Sequence, residues 1–267
     1  MRSLAELLHL GGRKVFLSGG AGHIGQAAAE ALVELGATVA VADIDAAACA
    51  KTVETLEGRR PGSGIAVPCD LADERAAREA IRDTVRALGG LDVLVHAAAY
   101  VGTSAIAGWA VPFERQTVDA WDAALRLNLT TAFVMVQEAK DALAASGHGS
   151  VIFFASIYGM AGPDPRLYAD APLANPAGYG ASKGGLLQLT RHLATVLAPR
   201  IRVNAISPGG IFRNQAPPFP ARYGERTPLR RMGTEEDLKG AVAYLAGDAS
   251  AYVTGHNLVV DGGWTAW

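Results

Sequence analysis

The chain has 267 residues, half of them hydrophobic, with 24 basic against 26 acidic side chains and a formal net charge of −2. That length suits one large α/β domain with a sizeable core, and the near-neutral charge gives no reason to expect nucleic acid or a membrane surface as a partner. Two cysteines, Cys49 and Cys69, make no disulfide framework, six histidines without HxH or HExxH spacing argue against a metal site, and no apolar run of about 18 residues predicts a membrane span.

Residues 1–10 carry too short and interrupted an apolar run for a signal peptide, so a cytoplasmic location is expected. From there on, short apolar runs alternate with longer segments of helical periodicity, which predicts βαβ units. Val15, Phe16 and Leu17 form a buried strand that runs into Ser18, Gly19, Gly20, Ala21, Gly22, His23, Ile24 and Gly25, then a helix over 26–35. A glycine-rich turn between strand and helix lets backbone N–H groups approach a pyrophosphate at the positive end of the helix. A tight βα turn with no ligand is the plainer alternative. The strand over 38–42 ends in Asp43. A carboxylate about 20 residues beyond such a turn can accept hydrogen bonds from the adenosine ribose and repels a 2′-phosphate. No Lys or Arg lies in the turn to offset it, so NAD is expected; a solvated strand-end Asp is the alternative.

A third strand over 65–67 leads to Cys69, Asp70 and Leu71, and a helix over 73–88 precedes a strand over 93–95. His96, Ala97, Ala98 and Ala99 follow, and the small residues there let backbone pass close to a cofactor. One long helix is expected over 117–145 with Asn128 near its middle. Among Leu125, Leu127, Leu129 and Phe133, that amide reads more readily as a hydrogen-bonded core residue than as a catalytic one. The strand over 151–154 ends near Ser156, at the edge where ligands bind in open α/β sheets. Residues 157–178 contain Pro163, Pro165, Pro172 and Pro176 and read as a long surface loop, a functional feature or a disordered one.

A helix from Tyr179 to about 198 places Tyr179 and Lys183 one turn apart on the same face. A phenol with a pKa of about 10 is a poor base near neutrality, and lowering it to about 7 asks for roughly 4 kcal/mol from a neighbour such as an ammonium. That would make Tyr179 a general acid and base. Alone, a Tyr-x-x-x-Lys pair is more often a chance surface pair, but the other tyrosines have no lysine four residues on. A strand over 201–206, the turn Ser207, Pro208, Gly209, Gly210, a Pro- and Arg-rich stretch over 211–231 resembling a mobile lid, a helix over 235–245 and a strand over 258–260 complete the chain. No repeat or linker divides it, so one domain over 1–267 is expected, with an insertion at 157–178 and a lid at 207–231 framing the substrate pocket.

With Ser18, Gly19, Gly25, Asp43, Asp70, Asn128, Ser156, Tyr179 and Lys183 in this order, the chain resembles the short-chain dehydrogenase/reductase family over nearly its whole length, and residues 254–263 resemble that family's last strand. The resemblance implies an α/β fold: a Rossmann-type doubly wound parallel sheet of about seven strands with helices on both faces. It implies a catalytic tetrad carried over to Asn128, Ser156, Tyr179 and Lys183, in which Ser156 holds the substrate oxygen, Lys183 lowers the Tyr179 pKa and Asn128 holds a proton-passing water. It implies NAD bound by Ser18, Gly19, Gly22, His23, Ile24, Gly25, Asp43, Asp70, Leu71, Ala97, Ala98, Pro208, Gly209 and Ile211, with Tyr179 and Lys183. It also implies a homo-oligomer, a tetramer, for which Trp264 and Trp267 are interface candidates or else caps of the chain's own core. The family's TGxxxGxG turn has His23 at its middle glycine, its NNAG reads His96, Ala97, Ala98, Ala99, and Ser156 and Tyr179 stand farther apart than is usual. The insertion and the stretch 207–215 are similar to members linked to bacterial surface-sugar pathways.

The function this predicts is NAD-dependent interconversion of a small-molecule secondary alcohol and a ketone. Tyr158, Asp164, Arg166, Tyr168, Asp170, Asn175, Arg213, Asn214 and Gln215 offer a polar wall suited to a sugar-like substrate. The alternatives are a small non-sugar ketone or a non-catalytic dinucleotide-binding regulator; the plainer reading of the wall is that its side chains point into solvent and the pocket is lined by Ile157, Met160, Ile211, Phe212 and Trp109. A sugar-nucleotide epimerase or dehydratase is a third possibility, against which counts that no C-terminal substrate domain is evident in this sequence.

Overall fold

The computed structural model describes residues 1–102, 104–168 and 174–267. Its strands are β1 (Lys14–Ser18), β2 (Thr38–Asp43), β3 (Gly64–Pro68), β4 (Val93–His96), β5 (Gly149–Phe154), β6 (Ile201–Pro208) and β7 (Asn257–Val260). They form one sheet in the order β3-β2-β1-β4-β5-β6-β7, and every pairing is parallel. The helices are α1 (Leu4–Leu8), α2 (His23–Glu34), α3 (Ala46–Arg59), α4 (Glu74–Leu88), α5 (Val118–Leu125), α6 (Thr131–Ala145), α7 (Ala177–Leu197), α8 (Phe219–Arg226) and α9 (Lys239–Ala246).

Helices cover both faces, so the central strands are apolar on both sides. Every residue of β4 and β5 is buried, whereas the edge strands β3 and β7 are half-buried. Alternation within β1 divides the core in two. Phe16 packs with Leu94, Phe153, Ile81 of α4, Met135 of α6 and Leu186 of α7. Val15 and Leu17 pack on the other face with Val95, Ile152, Leu32 of α2 and Val242 of α9. Each such buried side chain contributes roughly 1.5–3 kcal/mol. The sheet order reverses at the β1–β4 seam, the switch point outside whose carboxyl ends ligands bind in such folds.

Several elements differ from the sequence expectation. The helix expected over 117–145 is interrupted: Arg126–Thr130 form a π turn, with the Thr131 N–H reaching back to the Arg126 carbonyl. Its extra residue rotates the helix face and turns Asn128 fully inward. The expected structureless loop at 157–178 contains 3-10 turns at Ile157–Gly159 and Pro165–Tyr168, while Asp170 and Pro172 lie outside the described residues. The stretch over 211–231 includes α8. α7 starts two residues before Tyr179, and α1, closed by a Ser3–Glu6 capping box, had no counterpart in the predicted elements. Among the described residues no helix is long and apolar enough to cross a membrane.

Candidate active site

β1 delivers Ser18 to the switch point, and the chain turns at Gly19 with φ of 67°. A Cβ on Gly19 would lie 2.5 Å from the backbone nitrogen of Ala98, and one on Gly25 would overlap the Gly19 carbonyl oxygen. Only glycine fits either place. Asp45, Asp73 and Thr117 cap α3, α4 and α5 through their side chains, but α2 starts from Gly22 with no side-chain cap. The first N–H groups of α2, at His23, Ile24 and Gly25, therefore have no side-chain acceptor at the positive end of a twelve-residue helix. His23 is exposed.

Asp43 closes β2 beside this turn, accepting from Ile44 N at 2.8 Å and Ala21 N at 3.3 Å. Ala97 N donates to the Ser18 carbonyl at 3.0 Å. Asp70 accepts from Ala72 N at 2.9 Å, and the buried Leu71 takes the Thr131 hydroxyl on its carbonyl at 2.7 Å. Beyond Pro208, Gly209 N bonds the Val260 carbonyl at 2.9 Å, and Ile211 forms an isolated bridge with Gly233. An uncapped helix end, a cradle that excludes Cβ atoms and a carboxylate at the end of β2 together fit the pyrophosphate and ribose of a dinucleotide.

Tyr179 and Lys183 share one face of α7, with Lys183 Nζ 5.7 Å from the phenol ring centroid. Lys183 is 3% exposed and donates to the Phe154 carbonyl at 2.7 Å, which brings it to the end of β5. Burial pushes its ammonium down to about 7. Burial pushes the Tyr179 phenol above its ordinary value, opposed by a hydrogen bond with Ser156. Burial thus moves the two groups in opposite directions, raising the phenol and lowering the ammonium. Ser156, buried at the β5 exit, also accepts from Tyr158 N at 3.1 Å.

Asn128 behaves as a satisfied core amide. Its Oδ1 accepts from Tyr100 N at 2.8 Å, and its Nδ2 donates to the Tyr100 carbonyl at 3.3 Å and to Ser182 Oγ at 3.0 Å. Ser182 in turn donates to the Tyr179 carbonyl at 2.8 Å. Sequence reasoning missed Ser182, although its position three residues beyond Tyr179 on one helix face was a usable signal.

The polar residues expected to line the substrate pocket divide into two groups. Asp164 is held by Arg166 at 2.6 Å and Arg226 at 3.6 Å, Arg213 by Glu235 at 3.1 Å, and Gln215 spans Arg213 N and the Ile211 carbonyl. Asn214 is exposed with φ of 57°. These side chains hold the loops themselves. Tyr158, Tyr168 and Asn175 form the second group: the two hydroxyls are 3.4 Å apart and Asn175 Nδ2 donates to Tyr168 at 3.3 Å. The Tyr158 ring stands edge-on to Tyr179 at 6.5 Å and to Trp264 at 6.1 Å. Of the apolar alternatives, Ile157 and Trp109 are buried, Trp109 in a cluster with Tyr179, while Met160 and Phe212 are exposed. A cavity of about 490 Å³, lined in part by Phe113, Gln116, Tyr158, Met160 and Asn175, lies across Tyr158, and Tyr179 does not line it. Trp264 is buried, stacked on Tyr223 with Arg226 over its ring, and caps the chain's own core, whereas Trp267 is exposed. Tyr223, whose hydroxyl accepts from Gly210 N at 2.5 Å, had no sequence signal.

A family model described as enoyl-(acyl carrier protein) reductase matches residues 19–265. The L-rhamnose 1-dehydrogenase (NAD(P)(+)) of Sphingomonas sp. strain SKA58 is 34% identical over 266 residues, covering 95% of this chain and 96% of the relative. The structure of a short-chain type dehydrogenase/reductase from Mycobacterium marinum superposes with a TM-score of 0.87 at 30% identity, covering 100% of both chains. That of a gluconate 5-dehydrogenase from Burkholderia cenocepacia, solved with NADP and tartrate, gives 0.87 at 26% identity over 99% of this chain and 100% of the other.

Proposed function

This chain belongs to the short-chain dehydrogenase/reductase family, oxidoreductases that use a nicotinamide dinucleotide on CH–OH groups, and on that premise we propose that it is an NAD-dependent dehydrogenase interconverting a polyhydroxylated, sugar-like secondary alcohol and its ketone. The observation that carries this reading is the convergence of Ser156, Tyr179 and Lys183 at the carboxyl end of β5, on the same edge of the parallel sheet as the glycine turn after β1. When bound, the dinucleotide supplies the hydride acceptor or donor. Ser18, Gly19, the backbone of Gly22 to Gly25, Asp43, Asp70, Leu71, Ala97, Ala98, Pro208, Gly209 and Ile211 are the residues to hold it, with Tyr179 and Lys183 at its reactive end.

Tyr179 removes the hydroxyl proton of the substrate during oxidation and returns it to the carbonyl oxygen during reduction. Ser156 holds that oxygen against the phenol. Lys183, poised near neutrality by burial, carries the positive charge that favours phenolate in one protonation state and relays a proton in the other. Asn128 keeps α7 and the loop at Tyr100 in place. Asp43 supports NAD over NADP, because a carboxylate beside the turn repels a 2′-phosphate. The relatives' printed names include both dinucleotides, so this choice is the reading of this chain's own residues. Tyr158, Tyr168 and Asn175 support a hydroxyl-rich substrate, and the named substrates L-rhamnose and gluconate of two relatives point the same way. The reading includes one domain with 157–178 and 207–231 framing the pocket, a cytoplasmic homotetramer, and no nucleic-acid or membrane partner.

Tyr179→Phe is the direct test. It is expected to cut turnover by about 10³-fold while NADH binding, followed by fluorescence, stays within about twofold. Undiminished turnover in that variant would sink the acid–base assignment. For the substrate, NADH formation is measured across sugars, polyols, steroids and long-chain alcohols. Strong turnover of a steroid with none on any polyol would replace the sugar-like class.

A further inference from the structure

His96 ends β4 at the switch point, fully buried, at a position where the family resemblance leads one to expect an amide. Its Nδ1 is 2.8 Å from Ser18 Oγ and its Nε2 is 3.3 Å from the carbonyl oxygen of Asn128. A carbonyl oxygen has no proton to give, so Nε2 carries the hydrogen. A neutral imidazole has only one, so Nδ1 accepts and the Ser18 hydroxyl donates to it. Burial, with the nearby Lys183 ammonium, pushes the imidazole down to about 3, which keeps it in this neutral tautomer.

Both ends of the imidazole lead further. Ser18 Oγ accepts from Ala98 N at 3.4 Å, the same backbone nitrogen that a Cβ on Gly19 would strike. Asn128 sits in the π turn, and its Nδ2 bonds Ser182, which bonds the Tyr179 carbonyl. A run of hydrogen bonds therefore joins the glycine turn to the backbone of Tyr179, and the imidazole spans the step from β1 to the π turn.

We propose that His96 is a positioning residue for hydride transfer, coupling the seat of the dinucleotide at Ser18 to the π turn that sets Asn128 and, through Ser182, Tyr179. The proposal rests on the reading of Tyr179 as the acid–base. His96 touches neither substrate nor dinucleotide and acts through the two groups at its ends. A residue that merely tied strands together would affect stability alone.

The two ends can be cut separately. An Asn amide reaches where Nδ1 sits, so His96→Asn keeps an acceptor for Ser18 and leaves the Asn128 carbonyl without its donor. A Gln amide reaches where Nε2 sits, so His96→Gln keeps that donor and removes the acceptor from Ser18. NADH affinity is measured by fluorescence titration, kcat with the sugar or polyol giving the fastest NADH formation in the unmodified protein, and Tm alongside. His96→Asn is expected to lower kcat about tenfold with NADH affinity within about twofold, and His96→Gln to weaken NADH about tenfold with kcat within about threefold. Ser18→Ala removes the same bond together with the one from Ala98 N and the hydroxyl at the dinucleotide's seat, so it is expected to weaken NADH at least as much as His96→Gln does. Equal losses of kcat, affinity and Tm in both His96 variants, no loss in either, or Ser18→Ala with unchanged NADH affinity would overturn the coupling. Those outcomes leave the acid–base reading standing as long as Tyr179→Phe is inactive; an active Tyr179→Phe brings down that reading itself.

Discussion

Around Ser18 and Gly25 the chain presents backbone, with side chains cleared away so that N–H groups and peptide planes form the surface. Around Asp164 and Arg213 it presents side chains, most of them already paired: Asp164 with Arg166 and Arg226, Arg213 with Glu235, Gln215 with the chain next to it. The difference teaches what a polar residue in a loop means. A buried or half-buried polar group takes a partner where it can, so loop side chains first hold the loop. A backbone turn without a capping side chain has no such internal outlet, and its N–H groups remain open to an anionic group.

The strongest way to break this comparison is to put a side chain where the turn allows none. Gly25→Ala places a methyl on the Gly19 carbonyl, and the resulting overpacking of about 3 kcal/mol is expected to weaken NADH about 100-fold in fluorescence titration. Unchanged affinity would mean that this turn is not where the dinucleotide seats.

Acid unfolding sharpens the contrast by pH window. The folded His96 pKa, about 3, is below its ordinary 6.5. Above pH 6.5 the ring is neutral folded or unfolded, and between 6.5 and 3 only the unfolded chain takes up the proton. His96 thus removes stability as pH falls through that window, by up to about 1.4 kcal/mol per pH unit. Asp164 is held below its ordinary 3.8 by Arg166, so its contribution is present above that value and disappears only as pH falls further. Denaturant titrations of the unmodified protein and His96→Gln should therefore diverge in slope from pH 6.5 downward, and Asp164→Asn should depart from the unmodified protein in slope only below about pH 4. Lys183, at about 7 instead of 10.5, makes stability rise with pH between those values.

Asp43→Ala tests the one side chain on the backbone-built side. Losing hydrogen bonds to a charged acceptor worth about 1.5 kcal/mol should narrow the NADH-over-NADPH preference about tenfold. Equal affinities for both dinucleotides in the unmodified protein would remove the role. The smallest effect belongs to the loop pairs. Asp164→Asn is expected to leave KM for a sugar or polyol within about threefold and to lower stability by no more than about 1 kcal/mol. A large KM change there would return Asp164 to the substrate wall.

The parallel sheet was legible because buried strands such as Val93 to His96 and the helices between them leave distinct periods in the sequence. The glycine turn, Asp43 and the Tyr179–Lys183 pair were legible because their meaning lies in short-range spacing. The π turn was not: the residues from Arg126 to Thr130 carry no Gly or Pro to mark it, and the bond of the adjoining Thr131 hydroxyl to the Leu71 carbonyl joins positions far apart in sequence. His96 was recognisable as a departure but its partners were not, since Ser18 and Asn128 lie on other elements. The pairing of Asp164 with Arg226 and the burial of Trp264 depend equally on contacts distant in sequence.

The strand order has a consequence for how the chain is made. β2 and β3 join one side of β1, and β4 to β7 join the other in turn, so each strand emerging from a ribosome meets an open edge and none has to be threaded between partners already paired. The last step carries the hazard. Until residues 257–260 emerge, β6 leaves Ala205 to Pro208 unpaired on that edge, all four of them buried in the finished sheet. An uncovered border of that kind recruits strands from other chains. A protein cut short before Asn257 would keep the glycine turn and all of α7, and would be lost to aggregation at the β6 border.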